Sequence, residues 1–157
     1  MSELIIGDKA PEFAINIADN EVLTLNQLAG KFVVLYFYPK DSTPGCTVEA
    51  RDFNSSLSEF KALGAEVIGV SKDDLKSHDK FRDKHNLQFN LGSDIEGKMC
   101  ADYGVWAEKS MFGKKYMGII RATFLISPEG KIAYIWPKVS VMGHAKAVLN
   151  KLKDLQQ

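Results

Sequence analysis

The residues of this chain best equipped for chemistry are two cysteines, Cys46 and Cys100. They lie too far apart for a CxxC motif, and two thiols are too few for a four-cysteine zinc site. In a reducing compartment both are expected as free thiols. The segment Tyr36-Phe37-Tyr38-Pro39-Lys40-Asp41-Ser42-Thr43-Pro44-Gly45-Cys46-Thr47-Val48-Glu49-Ala50 sets one of them apart. An apolar run ends at Tyr38, a loop holding two prolines follows, and helical spacing begins. Pro44 suits the first helical position, where its missing N–H has no intrahelical partner. Cys46 then falls in the first turn, facing free backbone N–H groups and the positive end of the helix dipole. Both favour thiolate over thiol.

Magnitudes show what else is needed. A thiol with a pKa of about 8.5 is about 3% ionised at neutral pH, and reaching about 90% takes roughly 3.4 kcal/mol. The dipole supplies about 0.3–1 kcal/mol, or up to ~2 when partly buried. A cation and hydrogen bonds must supply the rest. Thr43 is expected to set a hydroxyl beside the sulfur, and Arg121, just ahead of a predicted strand, is a candidate cation. The opposing reading makes Cys46 a small buried hydrophobe, the common fate of a lone cysteine. Thr43 is then only a helix cap and Arg121 only a salt-bridge partner at a sheet end.

The elements that must position these groups alternate along the chain. Phe13 to Ile17 alternates at period two, Ala18 to Glu21 reads as a turn and Val22-Leu23 resumes, which predicts an N-terminal hairpin. Thr24 heads a short helix ending at Gly30. Phe32 to Tyr38 reads as a central strand covered on both faces. Pro44 to Leu63 predicts one long helix with Val48, Phe53, Leu57 and Phe60 on its apolar side, closed by Gly64. Ala65 to Val70 is a second buried strand, Asp73 to His85 a mostly polar helix, Leu87 to Leu91 a weak strand, and Ile95 to Tyr103 a short helix. Ser127-Pro128-Glu129-Gly130 joins strands Ala122 to Ile126 and Ile132 to Trp136. Gly143 to Leu155, with Ala147, Val148 and Leu152, predicts a closing amphipathic helix. The order fits one three-layer α/β domain with a mixed sheet. Thioredoxin-like and flavodoxin-like arrangements both remain open on pattern alone.

The chain has 157 residues, about the size of one ordinary domain, and enough to bury a core without staples. Hydrophobic residues make up 45% and charged residues 25%, as in a folded soluble protein. Lys+Arg and Asp+Glu each number 20, so no basic excess points to nucleic acid. The longest apolar run is too short to span a membrane. Met1-Ser2-Glu3-Leu4 lacks a charged segment ahead of a long apolar one, so the expectation is a cytoplasmic protein without a signal peptide. His78, His85 and His144 show no ligand pattern, so no metal and no cofactor are assigned. His78 and His85 are expected on a solvated helix face.

Pro39-x-x-x-Thr43-x-x-Cys46 resembles the peroxiredoxin active-site motif, and YFYPKDSTPGCTVEA resembles its bacterioferritin comigratory protein, or PrxQ, branch. Gly7-Asp8-Lys9-Ala10-Pro11-Glu12-Phe13, Gly104-Val105-Trp106, Glu108-Lys109-Ser110 and Arg121 to Ile126 match other blocks, so the resemblance covers nearly the whole chain. It implies a thioredoxin-like fold and a thiol peroxidase acting on hydrogen peroxide and organic hydroperoxides. By resemblance, Cys46 attacks the peroxide and becomes a sulfenic acid. Thr43 and the backbone N–H groups near Gly45 and Cys46 hold the peroxide oxygens. Arg121 stabilises thiolate and transition state, Pro39 shields the pocket, and Glu49 braces the arginine. Trp106, Phe112, Tyr116 and Trp136 are candidates for an apolar collar, against ordinary core packing.

Many members of this branch carry a resolving cysteine where this chain has Arg51. Others carry it in the next helix, which here contains none. Two routes remain: an external thiol such as glutathione, glutaredoxin or thioredoxin attacks the Cys46 sulfenic acid, or Cys100 resolves it. The second requires local unfolding, because a disulfide needs Cα atoms within about 7 Å. The expected partners are thus a hydroperoxide and a thiol reductant, and the branch implies a monomer. A dithiol oxidoreductase would need a cysteine where Thr43 stands. A peroxide sensor without turnover is a further alternative.

Overall fold

The computed structural model describes residues 3–157, so Met1 and Ser2 of the segment considered for a leader lie outside the described residues. Among the described residues no helix is long and apolar enough to cross a membrane. The chain opens with the expected antiparallel hairpin, β1 (Ala14–Ala18) and β2 (Glu21–Thr24). The Thr24 N–H donates to Gln27 Oε1 at 3.1 Å and the Gln27 N–H to Thr24 Oγ1 at 3.3 Å. This reciprocal cap starts a single 3-10 turn, Asn26–Leu28. Then come β3 (Phe32–Phe37), α1 (Pro44–Ser55), α2 (Leu57–Ala62), β4 (Ala65–Ser71), α3 (Leu75–His85), β5 (Asn90–Ser93) and α4 (Lys98–Asp102). The chain ends with β6 (Trp106–Met111), β7 (Lys114–Ile119), β8 (Ala122–Ile126), β9 (Ile132–Trp136) and α5 (His144–Leu155).

Among the described residues seven strands form one mixed sheet in the order β2-β1-β5-β4-β3-β8-β9. β3, β4 and β5 run parallel, and β8 pairs antiparallel with β3. The central strand β3 serves two cores, because successive side chains point to opposite faces. Val33, Leu35 and Phe37 join Met99, Cys100 and Tyr103 on one face. Val34 and Tyr36 join Cys46, Phe53, Phe60 and Leu149 on the other. A strand buried on both sides must be apolar throughout, which explains its unbroken run.

Four local expectations are corrected. The helix read over Pro44 to Leu63 is interrupted at Ser56, where consecutive serines form a weak joint. Its buried face carries Cys46, Glu49, Ala50 and Phe53, while Val48 is exposed. In α5 the buried stripe is His144, Ala145, Val148, Leu149 and Leu152, leaving Ala147 outside. The fifth strand lies at Asn90–Ser93, beyond the apolar Leu87 and Phe89, which are buried without joining it.

The sequence pattern predicts no element over β6 and β7, which form a separate two-stranded sheet. Lys109, Lys114 and Lys115 lie on this hairpin, and its turn is Phe112-Gly113 with φ of 53° and 79°, not the usual Asn-Gly.

Candidate active site

Cys46 owes its position to how β3 hands over to α1. Thr43 is the helix N-cap, in extended conformation at φ −85° and ψ 153°, and Pro44 takes the first helical position as predicted. The first bond of the helix is from the Thr47 N–H to the Thr43 carbonyl, at 2.9 Å. The N–H groups of Gly45 and Cys46 precede that bond, so the helix offers them no acceptor. Cys46 itself is buried. The Thr43 hydroxyl does not bond the sulfur as expected. It donates to the Lys40 carbonyl at 2.8 Å and ties the loop together.

Arg121 stands just before β8, the neighbour of β3, and its carbonyl accepts from the Val139 N–H at 2.9 Å. Its guanidinium forks. Nη2 donates to Cys46 Sγ at 3.3 Å and Nη1 to Glu49 Oε1 at 2.7 Å. Gly45 permits this approach, since a Cβ there would lie 3.2 Å from Nη2. Burial pushes the Glu49 carboxyl up, Arg121 pulls it down, and the net result is a pKa of about 7. Burial would lower the Arg121 pKa, but the charges of Glu49 and Cys46 outweigh it and the guanidinium is held above its ordinary value. Glu49 Oε2 and the Tyr36 hydroxyl are buried without a hydrogen-bond partner.

Because burial raises the Glu49 pKa from 4.5 to about 7, the folded state binds more protons than the unfolded chain across that window. This group's contribution to stability therefore falls as pH rises through it. Glu49→Gln is expected to gain stability relative to wild type from the acid to the neutral end of that range. Urea unfolding of both proteins at several pH values checks this, and a constant difference contradicts it.

Two further groups crowd the site without any signal in the sequence pattern. Lys109, on β6, lies within the fields of Arg121 and Cys46 and donates to the Ile119 carbonyl at 3.0 Å. His144, at the start of α5, has its Nε2 2.8 Å from Thr123 Oγ1. Burial first and Arg121 second lower the His144 pKa to about 4, so it is neutral at ordinary pH. Its ring meets both Phe53 of α1 and Trp136 of β9 edge-on.

His78, expected on a wet face, is buried and bonded to Asp41. His85 is only part-buried. Of the collar candidates, Phe112 is 99% exposed at the hairpin tip and Tyr116 is also exposed, so neither packs in a core. Trp106 and Trp136 are part-buried, with Lys72 Nζ 4.2 Å above the Trp106 ring.

Pro39 is part-buried in the loop before Thr43. Cys100 sits apart from all of this. It belongs to the core on the far face of the sheet from Cys46. Its backbone N–H donates to Asp94 Oδ2 at 2.8 Å, and burial first, with Asp94 second, pushes its thiol well above the ordinary pKa.

The AhpC/TSA family model matches residues 6–135. The chain is 48% identical over 152 residues to peroxiredoxin Bcp of Bacillus subtilis, covering 97% of each protein. The solved Xylella fastidiosa PrxQ superposes with a TM-score of 0.94 at 40% identity over the full length of both chains. A Xanthomonas campestris bacterioferritin comigratory protein, described in connection with its alkyl peroxide reduction activity, superposes with a TM-score of 0.88 at 47% identity, covering 92% of each chain.

Proposed function

The chain belongs to the AhpC/TSA family and, within it, to the Bcp/PrxQ peroxiredoxins of thioredoxin-like fold, and from that premise we propose that it reduces hydroperoxides at the sulfur of Cys46. The observation that carries this reading is the forked guanidinium of Arg121, bonded to the Cys46 sulfur and the Glu49 carboxylate beside a helix start with free N–H groups.

The Cys46 thiolate attacks the distal oxygen of ROOH. An S–O bond forms, the O–O bond breaks, and RO⁻ leaves, taking a proton to become an alcohol or water. Negative charge grows on the leaving oxygen, so donors must face it. Arg121 Nη2 and the N–H groups of Gly45 and Cys46 serve that purpose. Thr43 contributes by fixing the loop through Lys40, with its hydroxyl oxygen still able to accept a bond from the peroxide. Pro39 keeps water from the pocket, and Glu49 sets the orientation of Arg121.

The sulfenic acid is then reduced from outside. A thiol condenses with it, releasing water and leaving a mixed disulfide, and a second thiol restores Cys46. Support comes from the absence of a nearby thiol: Arg51 occupies one usual resolving position, α3 has no cysteine, and Cys100 lies across the sheet. Glutathione, glutaredoxin and thioredoxin all have suitable chemistry, and we assign the protein to a thiol-reducing compartment such as the cytoplasm.

Steady-state peroxide consumption with each donor tests the activity. Continuous turnover is expected with at least one, whereas a single stoichiometric burst with every donor points to a sensor and sinks the proposal. Mass spectrometry after one equivalent of peroxide tests the route. The expected species is a Cys46 sulfenic acid or mixed adduct, with turnover retained in Cys100→Ser. A disulfide joining Cys46 to Cys100 within one chain contradicts it.

A further inference from the structure

The loop that builds the site is clamped from behind by a buried polar network that the chemistry above does not use. Asp41 lies in the middle of the Pro39–Thr43 loop, and its side chain is buried. Its Oδ1 accepts from the Tyr38 hydroxyl at 2.5 Å. Its Oδ2 accepts from the Ser77 hydroxyl at 2.8 Å and from His78 Nδ1 at 2.7 Å. Its backbone N–H donates to Asp73 Oδ2 at 2.8 Å, and that oxygen also accepts from the Ser71 hydroxyl at 2.6 Å. The other nitrogen of His78, Nε2, lies 3.0 Å from the Gly92 carbonyl of β5.

Both ring nitrogens of His78 thus face acceptors, a carboxylate and a carbonyl. Only an imidazolium donates to both. Asp41, Asp73 and His78 bring ligand atoms within 4.8 Å of one another, but those atoms are already committed to these hydrogen bonds. The next residue shows why a clamp is needed. Ser42 has a φ of 64°, a left-handed conformation that a side-chain-bearing residue adopts only when its surroundings impose it. Thr43 and the first turn holding Cys46 follow at once.

We propose that His78 is a positioning residue for the Cys46 chemistry, an imidazolium pinned between the Asp41 carboxylate and the Gly92 carbonyl that holds the strained loop, and with it Thr43 and the start of α1, in the reactive arrangement. The proposal rests on the peroxidase reading for its rate measurement but not for its protection measurement.

The ionisable groups facing the ring are Asp41 from the loop, Tyr38 from the end of β3 and Asp73 from the segment between β4 and α3. Burial pulls the His78 pKa down, but the hydrogen bond and charge of Asp41 prevail and hold it above 6.5. Burial likewise pushes Asp41 up, but the bonds from His78 and Tyr38 prevail and keep its carboxyl below 3.8. The clamp's charge pattern, an imidazolium facing a carboxylate, is thus favoured from both sides. The clamp loosens on the alkaline side as His78 loses its proton, and on the acid side as Asp41 gains one.

A displacement of about 1 Å at a reacting group can cost on the order of 10²-fold in rate. His78→Gln fills much of the same space and presents one amide group to two acceptors. It is expected to slow sulfenic acid formation at Cys46 by about tenfold or more at neutral pH. It should also remove the alkaline fall in the rate that accompanies His78 deprotonation, and open Cys46 to a bulky alkylating reagent in the absence of peroxide. Asp41→Asn, which removes the counter-charge, should shift the wild-type alkaline fall to lower pH. An unchanged rate, pH profile and alkylation in His78→Gln overturns the proposal. Should that variant not fold, the wild type decides. Protection of Cys46 from alkylation must decline in step with the imidazole titration followed by NMR, and protection indifferent to that titration overturns the proposal.

Discussion

Cys46→Ser is expected to bring peroxide consumption down to the uncatalysed background while the protein stays folded. The serine hydroxyl is not ionised near neutral pH and cannot form the sulfenic acid on which every later step depends. The fold should tolerate the exchange, because serine is close in size and its oxygen can accept from Arg121 Nη2 in place of the sulfur, now 3.3 Å away. A stability change of about 1 kcal/mol would move the thermal midpoint by only about 2–4 °C in a chain of this length. Peroxide consumption with an excess of thiol donor, beside a thermal melt of the same preparation, checks both halves. Turnover surviving in this variant would place the reactive group elsewhere.

Arg121→Ala is the second large effect. It removes the cation that bonds the sulfur and, in the proposed mechanism, a donor to the growing charge on the leaving oxygen. Loss of one such donor from a dry site costs about 10²–10³-fold. The effect extends to Glu49, whose side chain is only 1% exposed and whose partner is this guanidinium. A buried carboxylate left alone takes up a proton to escape its charge. Arg121→Lys should restore only part of the rate, since an ammonium has no planar fork to reach Cys46 and Glu49 together. Rapid-mixing measurement of Cys46 oxidation by peroxide reads this directly. A rate within about twofold of wild type in Arg121→Ala would refute the role given to the fork.

How far the sequence discloses this arrangement depends on the range of each interaction. β3 was legible because a strand buried on both sides must be apolar at every position, and Pro44 announced the helix start next to Cys46 through its own covalent geometry. Arg121 was legible only because it precedes a strong strand signal within a recognisable family block. Its fork is a product of β8 lying beside β3, which no local pattern encodes.

The same limit hid His78. On a polar helix a histidine looks solvated, and only the packing of α3 against β5 and the Pro39–Thr43 loop turns it inward. Glu49 breaks the usual rule that acidic residues stay outside, so a hydrophobic pattern assigned the inward face to Val48 instead. The β6–β7 hairpin escaped because its strands are held to each other rather than to the main sheet, which leaves no buried stripe to betray them.

The sheet that divides Cys46 from Cys100 has a bearing on how such a protein fails. Joining the two sulfurs would require local unfolding around the sheet that separates them, so on the proposed external route oxidised Cys46 depends on an incoming thiol. Its fate is a race. An incoming thiol returns it to work, while a second peroxide carries it to sulfinic acid and retires it. The peroxide concentration at which a sulfenic acid is lost as often as it is rescued should therefore rise in proportion to the thiol supplied, so that the loss per turnover gauges the surrounding thiol pool.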